Sequence, residues 1–118
     1  MENKSTSMYD DFKKVKANHV PLSPLTFLPR AASLYPENEA VVYGKRSYTW
    51  SECYERCKRL ASGITKLGAS KGDTVSVIAT NTPEMVEAHY GIAMAGAVLN
   101  SINAVSYTHL RAHETSRN

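Results

Sequence analysis

Only two cysteines, Cys53 and Cys57, occur in this 118-residue sequence, four positions apart in one segment. No second cysteine pair or clustered histidine stands near them to complete a tetrahedral set, so a structural zinc site lacks ligands. Two small apolar side chains on a buried helix face account for the pair. Long apolar runs are missing too. The opening MENKSTSMYDDFKKVKANHV is polar and mixed in charge, and no run reaches the length of a membrane span. Neither a signal peptide nor a transmembrane segment is expected, and the default setting is reducing and cytoplasmic. An excess of one charge is also absent. Fourteen basic residues against eleven acidic ones give +3, and they are scattered. Without the last fourteen residues, which carry Arg111, Glu114 and Arg117, 12 minus 10 leaves +2. Nucleic acid is therefore not an expected partner.

Glycine is missing where dinucleotide chemistry needs it. The turn after the clearest β-rich run reads TNTPEM, whereas close approach of a backbone to pyrophosphate calls for G-x-G-x-x-G. A Walker-type loop is absent as well.

What is present is a well-patterned α/β chain, long enough to bury roughly two-thirds of its unfolded surface. Residues from Met1 to about His19 show no sustained period and read as a flexible lead-in, taken as residues 1–20. A short helix follows: Thr26 is its candidate cap, Pro29 sits in its first turn, Phe27, Leu28, Ala31 and Leu34 share a side, and Pro36 ends it. Two β-rich runs flank Gly44-Lys45, the signature of a tight type II′ hairpin. Thr49 and Glu52 then form a capping box. Trp50, Cys53, Tyr54, Cys57, Leu60, Ala61, Ile64 and Leu67 repeat at helical spacing, and Gly68 stands at the C-terminal cap. Glu52–Arg56 and Glu55–Arg59 are candidate i,i+4 pairs on the opposite face.

The run DTVSVIAT is expected as a buried strand. NTPEMVEAHYGIAMAGA should be a helix, capped by Asn81 or Thr82, with Pro83 at its first position, Glu84 near its N-terminus, and Gly91, Ala93, Ala95 and Gly96 allowing close packing. AVLNSIN is a second strand, and the three make a βαβ unit with parallel strands. Asn81 lies beyond the end of a strand, where ligands of open sheets gather, but capping a helix is the favoured reading. His89 has no nucleophile or carboxylate nearby and reads as structural. Tyr48 and Trp50 fit core or rim packing better than an aromatic platform.

The stretch YTWSECYERCKRLASGITKLG resembles the first core motif of the adenylate-forming (AMP-binding) superfamily. GDTVSVIATNTPEMVEAHYGIAMAGAVLNSIN is similar to the strand, helix and second core motif that follow. PLSPLTFLPRAASLYPENEAVVYG resembles the opening of the fatty acyl-CoA synthetase branch, especially enzymes for short to medium chains. This resemblance implies an α/β fold: residues 21–104 would be a truncated N-terminal part of the large domain, with a β-hairpin, helices, a βαβ unit and an incomplete sheet. The intact parent would use ATP and Mg2+ to convert a carboxylic acid to an acyl-adenylate and pass it to coenzyme A. The family's phosphate loop, nucleotide-holding acid and arginine, and catalytic lysine have no counterpart here, so no catalytic, cofactor-binding or metal-binding residue is carried over. The fragment alone is expected to be inactive and to bind no cofactor.

After Ala104 the pattern breaks. VSYTHLRAHET, Val105 to Thr115, resembles one reading frame of a transposon-end sequencing adapter, so 105–118 is expected to be a non-native tail. His109 and His113, four apart, would otherwise suggest a two-histidine metal site, but no acidic or thiol ligand accompanies them in the usual pattern. Two alternatives stay open: an adenylation domain of another adenylate-forming enzyme, and a small non-enzymatic α/β binding module.

Overall fold

The computed structural model describes residues 15–17 and 19–104. Most of the lead-in and the whole tail, with His109 and His113, lie outside the described residues.

Structure starts with a 3-10 turn, Pro24–Thr26, that runs into α1, Phe27–Leu34. Thr26 stands at the N-cap position of α1, but its side chain makes no capping hydrogen bond. Pro24 begins the turn earlier, so Ser23 caps it instead: its Oγ accepts the Leu25 N–H at 3.3 Å, while the Thr26 hydroxyl donates to the Ser23 carbonyl at 2.8 Å. Of the expected apolar side, Leu28 is buried, but Phe27 and Leu34 are exposed.

Strands β1, Glu39–Tyr43, and β2, Arg46–Thr49, pair antiparallel, with Tyr43 opposite Arg46 and an irregularity between Glu39 and Val41. Gly44 takes φ +60°, and among the described residues none other than glycine has positive φ. Lys45 therefore has negative φ, as type II′ requires and type I′ forbids.

Helix α2, Trp50–Lys66, begins on the expected capping box: the Thr49 N–H donates to Glu52 Oε2 at 2.8 Å, and the Glu52 N–H to Thr49 Oγ1 at 3.2 Å. It ends in a Schellman motif. Gly68, at φ +103°, donates to the Thr65 carbonyl and Ala69 to that of Ile64. Neither expected i,i+4 ion pair forms. Glu52 is engaged by the cap, Glu55 pairs with Lys58 at 2.5 Å, and Arg56 crosses to Glu87 on the next helix. A tertiary carboxylate that is shielded from water outcompetes an exposed neighbour on the same helix.

Strand β3, Thr74–Ala79, runs parallel to β4, Val98–Asn103, in unbroken register from Thr74 opposite Val98 to Ala79 opposite Asn103. Between them α3, Pro83–Met94, makes the crossover and ends in a second Schellman motif at Gly96, φ +80°. The βαβ unit is as expected, but β3 is not buried. Val75, Val77 and Ala79 are half-buried, whereas Thr74, Ser76 and Ile78 face outward, and Ile78 is 57% exposed. Only one face is covered among the described residues, and side chains alternate between faces.

Two buried clusters result. Leu28, Cys53 and Cys57 join α1 to α2, with Trp50, Tyr54, Tyr90 and Met94 packed around them. Ala88, Ile92 and Ala97 form the other, flanked by Leu60, Ile64, Val75, Val77 and Leu99. Burying a side chain such as Leu28 or Ile92 contributes roughly 1.5–3 kcal/mol. Helices α2 and α3 pack closely because Gly91 has no side chain. A Cβ there would stand 2.8 Å from Leu60 Cδ2 and 3.0 Å from Leu60 Cβ.

Candidate functional site

Open α/β sheets place ligands beyond the carboxyl ends of their parallel strands. Here that region is the turn Thr80–Thr82 between β3 and α3. A groove of about 310 Å3 lies beside it, walled by Val41–Tyr43 of the hairpin and by Met85 and Val86 of α3, with Asn81, Thr82 and His89 as its polar members. Asn81 is exposed and is not the helix cap. That position belongs to Thr82, whose side chain makes no capping bond to the helix N–H groups. His89 Nδ1 lies 2.7 Å from the Met85 carbonyl, one turn back. A carbonyl only accepts, so Nδ1 is the donor in this bond. His89 is outward-facing and locally bonded, with no nucleophile beside it.

The strongest polar assembly lies on the other side of the hairpin. The Glu87 carboxylate, 7% exposed, receives Arg56 Nε at Oε1 and the Arg56 terminal nitrogen at Oε2, the latter at 3.3 Å. The Arg56 guanidinium also stacks 4.4 Å from the centre of the Tyr48 ring. Arg46 donates to the Tyr48 hydroxyl at 3.2 and 3.3 Å and pairs with Glu84 at 2.5 Å. Glu84 is held down to about 2, first by Arg46, then by the backbone N–H of its own turn and the Thr82 hydroxyl. Five side chains thus tie β2, α2 and α3 together. Every charge is matched, which makes the assembly a clamp and leaves no group poised to exchange a proton.

Tyr48 and Trp50, expected as packing residues, occupy such places: Tyr48 lies under Arg56, and Trp50 sits against the Leu28–Cys57 cluster. Cys53 and Cys57 are free and buried on one face of α2. Hydrogen bonding to Cys53, reinforced by burial, pushes the Cys57 thiol well above its ordinary range. Among the described residues no three His, Cys, Asp or Glu side chains gather as a metal site. Glu87 was not singled out from the sequence. The available signal was a lone carboxylate among small and apolar neighbours, next to Ala88 and one turn before Gly91.

An anion bound at the β3–α3 turn would need free N–H groups at the start of α3. Pro83 at the first position has none, and the Glu84 carboxylate already occupies the first turn. These residues do not fit a triphosphate, and no nucleotide chemistry is assigned to them.

The architecture is that of an adenylate-forming enzyme's N-terminal part: hairpin, capped helix, then a βαβ unit whose two strands form a small, incomplete sheet. The AMP-binding enzyme family matches residues 28–116, and the chain belongs to that family. Over 94 residues it is 51% identical to a peroxisomal benzoate–CoA ligase of Arabidopsis thaliana and 49% identical to a peroxisomal acetate/butyrate–CoA ligase of the same plant. Each alignment covers 80% of this chain and 16% of the ligase. Among solved structures it resembles the O-succinylbenzoate coenzyme A synthetase of Bacillus subtilis in complex with AMP, with TM-score 0.63 and 29% identity over 66% of this chain and 20% of the other. The chain thus spans about a sixth of the length of the two ligases.

Proposed function

We propose that the parent of this chain is an ATP-dependent acid–thiol ligase that activates a small carboxylic acid as its acyl-adenylate and transfers the acyl group to coenzyme A, with Mg2+ accompanying ATP. The observation that carries this reading is the 45–51% identity to plant CoA ligases over 94 residues. The chemistry is coherent: a carboxylate is a poor electrophile, and adenylation supplies a leaving group. The acid is proposed as a short- to medium-chain fatty acid. Relatives named for acetate, butyrate and benzoate bracket that choice between small aliphatic and aromatic acids.

Residues 21–104 would act as scaffold, 1–20 as lead-in and 105–118 as non-native tail, so the 118-residue chain alone is proposed to be inactive. A cytoplasmic location is retained from the sequence, against relatives named peroxisomal. No helix among the described residues is long and apolar enough to cross a membrane. Calorimetry of the chain with ATP and Mg2+ tests the scaffold role, and micromolar binding would contradict it. Sequencing genomic DNA past the codon for Asn103 and assaying the encoded protein for acid-dependent ATP–pyrophosphate exchange tests the activity. No exchange with any short-chain or aromatic acid would reject it.

A further inference from the structure

The two thiols on α2 have no role in the proposed reaction, and their placement has chemistry of its own. Cys53 and Cys57 are 3% and 0% exposed, one helical turn apart on the same face, where side chains are neighbours. They lie in one apolar cluster under α1, joined there by Leu28. A four-ligand ion such as zinc finds no further donors among the described residues. We propose that Cys53 and Cys57 form a two-coordinate dithiolate site for a soft divalent cation, for which Hg(II) is the probe.

The reaction balances without a redox partner. Two S–H bonds break, two Hg–S bonds form, and two protons leave: 2 RSH + Hg2+ → (RS)2Hg + 2 H+. The product is neutral, which suits a cluster built from Leu28, Trp50, Tyr54 and Tyr90. A monovalent soft cation such as Ag(I) would leave one net negative charge there, and the neighbouring guanidinium, Arg56, is already committed to Glu87. Soft sulfur donors select such cations over hard ones. Because both thiols are buried with Leu28 of α1, access requires local opening of the α1–α2 packing.

The test titrates the full 118-residue chain with Hg(II), counts residual thiols, and then challenges the complex with glutathione. One equivalent should consume both thiols. Because the second thiol binds at high effective concentration, removal should need at least about tenfold more glutathione than for Cys53→Ser or Cys57→Ser. Binding of two equivalents per chain, removal at the same glutathione concentration as from the single variants, or uptake only after unfolding in urea would each overturn the proposal. The stoichiometry of the unsubstituted chain decides the matter even where a serine variant loses its far-UV helical signal.

Discussion

The β1–β2 hairpin and the β3–β4 pair are both two-stranded, yet they are held by different means. In the hairpin, Tyr43 and Arg46 face each other across two turn residues, and the pairing closes within eleven residues of sequence. In the parallel pair, Thr74 meets Val98 across a whole helix, and the strands share a face only because α3 packs against it. The hairpin therefore depends on turn chemistry, and the parallel pair on burial. The clamp of Arg46, Tyr48, Arg56, Glu84 and Glu87 joins the two, since β2 and α2 supply the cations and α3 the carboxylates.

Four changes would sharpen or break this contrast. Ile92→Ala should have the largest effect, because Ile92 is 1% exposed at the centre of the βαβ cluster. A loss of about 2–5 kcal/mol is expected, read from the urea midpoint of the full chain. A shift no larger than that of a surface alanine would mean that burial does not hold the parallel pair.

Arg56→Ala comes next. It strands Glu87 with little access to water, and since Arg56 itself is one-third exposed, the expected cost is about 2–3 kcal/mol, below that of a fully buried pair. Adding Glu87→Gln in the same chain should recover part of the loss, and a double-mutant cycle measures the coupling. Gly44→Ala should act on the hairpin alone. Nothing lies within 4 Å of the added methyl, so the cost is the backbone's at φ +60°, about 1–2 kcal/mol. Amide exchange should rise in Glu39–Thr49 and stay unchanged in β3–β4.

The smallest effect belongs to the exposed Arg46–Glu84 pair. The folded pKa of Glu84 is depressed, so the unfolded chain takes up this proton more readily. The stabilisation is therefore complete above pH 4.5 and lost as pH falls toward about 2. Arg46→Met should flatten the acid limb of the stability–pH curve over that window, and an unchanged limb would assign it to other carboxylates.

Much of the fold was legible because its signals are local. Thr49 and Glu52 lie three residues apart, Gly44 sets its own turn, and Gly68 ends its helix through a φ value that glycine alone adopts easily. The signals that misled were also local. Thr26 is a good cap residue in isolation, but Pro24 moves the turn ahead of it. Glu52 and Arg56 are spaced to pair, yet each has a better partner. Ile78 sits in an apolar β-branched run whose outer face no described residue covers. For the site, the sequence weighed Asn81 and His89 and read both as structural, while the buried ion pair of the clamp proved to be Arg56 and Glu87, 31 residues apart.

From its residues alone, this chain's element order, the capping box and C-terminal cap of α2, the hairpin turn and the family were already determined, because these signals act over a few residues. Tertiary structure alone decided which charges pair, which strand faces stay open, and that Leu28 of α1 closes over Cys53 and Cys57. Those outcomes depend on which surfaces meet and exclude water, and desolvation changes the strength of every polar contact it encloses.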